Sequence, residues 1–289
     1  MHSVICCPQC RGILFDGVQG AECSRCHLVY SRNANGQVDF RLKQNKNITV
    51  SFMLTPSIKK DNEPFDILLM NRKPEWAFEV PDGIPRELAS YIPKAVSSQS
   101  LMLDLGCGDT RHRPVFEHAG YEYVGVDYES DEATYRGDAH ALPFKDESFD
   151  FMFSRAAIEH LQYPFVAMTE AYRLLKPHAK FLGSAAFLEP FHGNSYYHAT
   201  HLGYRNLFEN AGFHVHCISP HPTWDVLRAQ ATMSLFPKMP TILAGALVVP
   251  TRVSHRIWWK LGKLFNPEAE ELTRKLWTAG SFLFIVEKP

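Results

Sequence analysis

The stretch Leu103-Asp104-Leu105-Gly106-Cys107-Gly108-Asp109 decides the fold. Leu101 to Leu105 is an apolar run that reads as a buried strand, and it feeds directly into a Gly-x-Gly turn. Glycine lets the backbone turn tightly and lets a ligand approach where a Cβ would clash. A dinucleotide fingerprint, G-x-G-x-x-G, would need a third glycine where this chain has Arg111. Nineteen residues beyond Gly108, Asp127 closes the next apolar run, Tyr123 to Val126, where a carboxylate can accept hydrogen bonds from a ribose diol. Strand, glycine turn, helix, strand and acid in that order describe a nucleoside-binding α/β site without the pyrophosphate turn. The plainer reading is a tight turn followed by a surface Asp.

Working outward, four more strands are expected at Phe149 to Phe153, Lys180 to Phe187, Phe213 to Ile218 and Phe282 to Val286. Helices are expected at Phe165 to Leu175, stopped by Pro177, and at Gly203 to Ala211, stopped by Gly212. Strands alternating with amphipathic helices predict an open sheet covered on both faces. Upstream, Ile48 to Leu54 reads as a strand, Lys59 to Pro64 as a polar link, and Pro74 to Pro85 carries Trp76 and Phe78. Arg86 to Val96 reads as a helix with Leu88, Ile92 and Val96 on one face, with Pro93 as an interruption. This segment is placed as a lid over the pocket.

The 289 residues, 45% apolar and 21% charged, are enough for about two domains with a full core. The formal net charge of -1 gives no global pull toward nucleic acid or anionic membrane. It is unevenly spread, +3 over residues 1–46, -7 over 47–250 and +3 over 251–289. The opening holds cysteines where a secretion signal would hold an apolar stretch. No run approaches 18 apolar residues; the longest, Ile242 to Val249, reads as a buried segment. A cytoplasmic protein is expected.

Five of the seven cysteines fall in the first 26 residues. Cys7-Pro-Gln-Cys10 and Cys23-Ser-Arg-Cys26 are two CxxC knuckles, and four thiolates so spaced select zinc ahead of an iron centre. With every position taken by sulfur the site is structural. Disulfides or redox pairs are the competing reading, and Cys6 or His27 are the alternative ligands. Leu28 to Tyr30 and Val38 to Leu42, with Asn33 to Gly36 as the turn, are expected to complete a ribbon hairpin that the metal stabilises. The expected domains are a zinc ribbon at 1–45, linker and lid helices at 46–100, and an α/β domain at 101–289.

Leu103 to Gly108 resembles the first motif of class I S-adenosylmethionine-dependent methyltransferases, and Asp127 their ribose-binding acid. Gly137 to Phe144 with Ser148-Phe149-Asp150, Ser154 to Leu161 (SRAAIEHL) and Ala171 to Pro177 (AYRLLKP) resemble the motifs that follow. The resemblance covers roughly 95–217 and resumes at the last strand. It implies a Rossmann-like seven-stranded sheet and S-adenosylmethionine as cofactor. Asp104, Gly106, Cys107, Gly108, Asp127, Tyr128, Asp138, Ala139 and Ser154 would line the site, with Asp138 on the adenine amino group. Pro177-His178-Ala179 departs from the family's Pro-Gly-Gly turn, and the short interval from Asp127 to Asp138 implies an abbreviated third helix and strand. The ribbon is also similar to those of bacterial rRNA guanine-N1 methyltransferases and to ribbons of the tRNA-methyltransferase activator type.

Acceptor-side groups should follow the fourth and fifth strands, at the carboxyl edge of the sheet. Glu159 and His160 lie in the first such segment, His160 as a base or orienter. The second, Glu189 to His201, packs Phe191, His192, Tyr196, Tyr197, His198 and His201 into one loop. His160, His192, His198 and Tyr196 are the catalytic candidates, and Glu159, Phe191, Tyr197 and His201 the substrate-binding ones. No i,i+4 pair with a helical acid is present, so a metal site among these histidines is the minor reading. From 221 to 280 an insertion carries Trp224, Leu227, Phe236, Trp258, Trp259, Leu261, Leu264, Phe265, Leu276 and Trp277, a mass expected to pack as extra helices, a dimer contact or an apolar cap. Arg252, Arg256, Lys260 and Lys263 form a basic row that offers peripheral contact to membrane or RNA. The expected activity is methyl transfer to oxygen or nitrogen of a small, partly apolar metabolite. The alternatives are an rRNA or tRNA base methyltransferase, favoured by the ribbon, and a non-catalytic scaffold.

Overall fold

A computed structural model describes residues 2–52, 84–266 and 270–289. The strands are β1 (Leu14–Gly17), β2 (Gly20–Cys23), β3 (Val29–Ser31), β4 (Val38–Asp39), β5 (Leu101–Leu105), β6 (Glu122–Asp127), β7 (Tyr135–Arg136), β8 (Phe149–Arg155), β9 (Leu175–Ala186), β10 (His214–Pro220) and β11 (Ser281–Glu287). The α-helices are α1 (Arg86–Ala89), α2 (Arg113–His118), α3 (Pro164–Leu174), α4 (His201–Ala211), α5 (Val226–Gln230), α6 (Thr241–Leu247), α7 (Val249–Gly262) and α8 (Glu271–Trp277).

The main sheet runs β10-β11-β9-β8-β5-β6-β7-β4. All its pairs are parallel except those of β11, which is antiparallel to both β9 and β10. Seven strands are those expected; the eighth is β4, contributed by the N-terminal segment. The order reverses at β5, between β6 and β8, which opens a crevice at the carboxyl ends of these strands. Period-two alternation explains the two cores. Leu101, Leu103 and Leu105 enter one, with Met152 and Phe181, while Met102 enters the other, with Phe151, Phe153 and Leu182. Thr200 caps α4 by accepting from the Gly203 amide at 3.2 Å, and Gly212, at φ +102°, ends it. Between Asp127 and Asp138 there is only the two-residue β7. At Pro177-His178-Ala179 the chain stays within β9, with His178 at φ +64° and a register shift against β8.

The N-terminal segment departs from the expected hairpin. Its three-stranded sheet is β1-β2-β3, two of whose strands the apolar pattern did not reveal, because Leu14–Gly17 is largely exposed. Val38–Asp39 instead pairs in parallel with β7, keeping one bridge to Arg32. The Cys6 amide donates to the Pro143 carbonyl at 2.8 Å, and Ile5 bridges to Phe144. Cys7, Ala21, Cys23, Tyr30, Val38 and Phe40 therefore share one core with Leu103 and Phe144.

Three further expectations are corrected: the strand at 48–54, the helix at 86–96 and the buried segment at 242–249. Residues 48–52 form no strand, and the rest of the expected strand, the polar link, Trp76 and Phe78 lie outside the described residues. The helix predicted at Arg86 to Val96 is the single turn α1, since Pro93 has no amide to donate and its ring crowds the preceding turn. In the insertion, Ala231, Ala244 and Val248 make a small core of their own with Leu227 and Phe236. Leu276 packs against the main core and Trp259 against Trp277, while α7 fully buries no residue and Ile242, Trp258, Leu264 and Phe265 are 73% exposed or more. The basic row is broken too, because Arg252 is bound to Asp225 at 2.7 and 2.9 Å. Among the described residues no helix is long and apolar enough to cross a membrane.

Candidate active site

β5 delivers Asp104 into the interior, 2% exposed, with its Oδ2 accepting from the Tyr123 hydroxyl at 2.8 Å. Burial pushes its carboxyl up to about 7; the Tyr123 bond works against this, and the charge of Asp127 adds to it. Gly106 and Gly108 sit at φ +74° and +54°. A Cβ on Gly106 would stand 2.4 Å from the Ala157 Cβ, whereas one on Gly108 would meet nothing within 4 Å. The first glycine thus lets the turn lie against the segment after β8, and the second keeps the turn's outer side clear for a ligand.

The Gly108 amide donates to Asp127 Oδ2 at 3.0 Å, and the Glu129 and Ser130 amides donate to its Oδ1 at 2.9 and 3.0 Å. Ser130 Oγ closes the ring by donating to the Gly108 carbonyl at 2.6 Å. The acid is fixed at the mouth of the turn. Tyr128 follows it, exposed, with the Arg41 guanidinium 5.3 Å from its ring centre. Asp138 Oδ1 accepts from the His140 amide at 2.9 Å and pairs with His140 Nδ1 at 2.6 Å. His140 Nε2 accepts from the Tyr163 amide at 3.1 Å, which assigns the ring proton to Nδ1. Burial raises the Asp138 carboxyl, but the His140 bonds outweigh it and hold the group below its ordinary value. Among the described residues Oδ2 of Asp138 has no donor and is left for another. Cys107 is buried under the turn, Ala139 is half-buried, and Ser154 is buried with its hydroxyl unpartnered among the described residues. The open turn, the anchored acid and the spare Asp138 oxygen fit a nucleoside-bearing cofactor.

Ala157 leads into a short 3-10 turn, Ile158–His160. Glu159 is fully buried, and neither carboxylate oxygen has a hydrogen-bond partner among the described residues. Burial pushes it up to about 7, with the charge of Glu189 adding. Its carbonyl accepts the Tyr196 and Tyr197 amides at 2.7 and 3.2 Å, which lays the 189–201 loop across this turn. The His160 and His192 rings meet edge-on at 5.2 Å, and His198 lies 5.5 Å beyond His192. Burial lowers both His160 and His198, so the two rings are neutral near pH 7.

The sequence candidates thus fall into two groups joined at Gly106 and Ala157. Glu159, His160, His192 and His198 come together. Phe191, Tyr196 and Tyr197 do not; they are 77%, 57% and 52% exposed. His201 opens α4 with its ring against Phe282, 5.8 Å away. Tyr123, Ser130 and His140, not singled out from the sequence, and the partly buried Glu189, the acid of the loop, hold the candidates in place, Glu189 accepting from Trp224 Nε1 at 2.8 Å. Only His140, two residues from Asp138, left a local signal.

A separate centre holds Cys7, Cys10, Cys23 and Cys26, whose sulfurs all lie within 4.8 Å of one another. Two of the edges, Cys7–Cys26 and Cys10–Cys23, are 3.6 and 3.5 Å, close to the ~3.8 Å of a tetrahedron built on zinc–sulfur bonds. Arg11 and His27, each following the second cysteine of its knuckle, take the same left-handed turn at φ 60° and 58°. A Cβ on Gly12 would lie 2.8 Å from the Cys23 sulfur. Cys6 and His27 stand outside the cluster, and the seven cysteines are unbridged. The site fits structural zinc.

The strand order, the antiparallel last strand and the glycine turn at its reversal define the class I S-adenosylmethionine-dependent methyltransferase fold. A family model described as a methyltransferase domain matches residues 103–183. The chain is similar to a malonyl-[acyl-carrier protein] O-methyltransferase of Erwinia billingiae, 29% identical over 117 residues, 37% of this chain and 46% of that one. It is likewise similar to an uncharacterized methyltransferase of Mycobacterium tuberculosis, 32% identical over 116 residues, 35% of this chain and 46% of the other. The matched region spans about half the length of these relatives. A Haloferax volcanii structure of the Trm112 methyltransferase activator with a methyltransferase is 19% identical at a TM-score of 0.46, over 70% of this chain and 87% of that one.

Proposed function

We propose that the chain transfers a methyl group from S-adenosylmethionine to an oxygen or nitrogen of a small, partly apolar metabolite in the cytoplasm. The observation that carries this is the contact of Gly106 with Ala157, which sets the ligand-clear glycine turn directly beside the buried Glu159/His160 turn. Asp127, held by three amides, would accept the ribose hydroxyls, and Asp138 Oδ2 the adenine amino group. The bound cofactor supplies an electrophilic methyl on a sulfonium, so the protein's task is alignment and proton removal. His160, neutral near pH 7, can take the acceptor's proton, and His192 and His198 line the same wall. Seven unbridged cysteines support a reducing compartment. The ribbon shares the domain's core, which supports a structural role for it rather than substrate reading.

Calorimetric titration with S-adenosylmethionine, followed by a methyl-transfer screen of small phenols, carboxylates and amines against rRNA, tests the reading. Binding in the micromolar range with turnover on a small acceptor is expected. No binding, or turnover on RNA alone, would overturn it.

A further inference from the structure

We propose that Glu159, His160 and His192 form a second metal site, which takes a divalent transition-metal ion on the acceptor side of the pocket. One donor atom from each of the three lies within 4.8 Å of the others. Ligands sharing an ion at bonds of ~2.1 Å stand about 3–4 Å apart, so closure about an ion needs only rotamer-scale movement.

Several polar atoms of the cluster have no hydrogen-bond partner among the described residues: both buried oxygens of Glu159, Nδ1 of His160 and Nε2 of His198. A buried carboxylate with no donor is costly unless a cation or proton reaches it. His192 is prepared for ligation: its Nδ1 faces the Pro190 carbonyl at 2.9 Å, and a carbonyl only accepts. The proton therefore sits on Nδ1 and the lone pair on Nε2, the usual outer support of a metal-bound histidine. Glu189 Oε2 stands 3.8 Å from that Nε2 and is oriented by Trp224, so it is a further carboxylate at hand. The ligands come from two segments more than thirty positions apart, which is why no helical i,i+4 signature exists.

Two imidazoles and a carboxylate suit zinc, iron(II), cobalt or manganese better than magnesium or calcium. An ion here would bind an acceptor oxygen and lower its pKa, and His160, once a ligand, would no longer serve as the base. This role rests on the methyl-transfer reading and narrows the acceptor to an oxygen; the site itself does not depend on that reading.

The test is titration of the metal-free full chain with Co(II), read by absorbance. The four-cysteine centre gives intense thiolate-to-cobalt charge transfer, and a nitrogen–oxygen site gives only weak visible bands. Two cobalt ions per chain are expected. Glu159→Gln and His192→Gln should each bind one, with the charge-transfer band unchanged, which also reports an intact ribbon. A wild-type chain that binds one cobalt, or variants that still bind two, would overturn the site. Parallel titration with S-adenosylmethionine separates the readings: two cobalt ions without cofactor binding keeps the metal site and removes the methyl-transfer role.

Discussion

Asp104 reports on burial through pH. Its unfolded pKa is near 3.9 and its folded value is about 7, so the folded chain holds the extra proton between them. A raised carboxyl stabilises relative to its ionised form below the unfolded pKa and loses that contribution as pH rises through the folded one. Asp104→Asn keeps an acceptor for Tyr123 and never ionises. In urea unfolding it should match wild type at pH 4 and exceed it at pH 8, by at most ~4 kcal/mol. A gap independent of pH would contradict the buried, protonated acid. At the turn, Asp127→Ala should weaken S-adenosylmethionine binding at least about tenfold by calorimetry while circular dichroism is unchanged. These positions were legible because each closes a strand or turn at a fixed local spacing. Glu159 and Glu189 were harder to read, because their burial and their neighbours arise between segments thirty residues apart.

At the scale of elements, two close approaches decide stability. Gly183 lets β9 pass β8, and a Cβ there would stand 1.8 Å from the Ser154 carbonyl oxygen and 2.6 Å from the Phe284 ring. Gly183→Ala should cost at least ~2 kcal/mol, read as a fall in thermal midpoint, because the obstacle is backbone in a central pair. The ribbon is the other case. A small thiolate-bound module draws its folding energy from its metal, and here its cysteines sit in the core that includes Leu103. Cys23→Ser should therefore destabilise the whole chain by several kcal/mol in order of magnitude, read as a lower midpoint in one calorimetric transition. A separate early ribbon transition, with the main transition unmoved, would show the two to be independent.

On the scale of the whole molecule, the sheet domain and the insertion obey different packing. Trp258 is 73% exposed on a helix that buries nothing. Trp258→Ser should change stability by less than ~0.5 kcal/mol in urea unfolding; a larger loss would place the Trp258 ring itself against other side chains. The sequence by itself determined the sheet, the glycine turn, the acid that ends β6 and the four-cysteine knuckles. Each rests on local periodicity or on spacing fixed by backbone geometry. The tertiary structure alone decided that Val38–Asp39 joins the main sheet, that Trp258, Leu264 and Phe265 of the insertion stay exposed, and that Glu159 meets His160 and His192. Those outcomes depend on which surfaces meet once the chain closes, and local patterns carry no record of that.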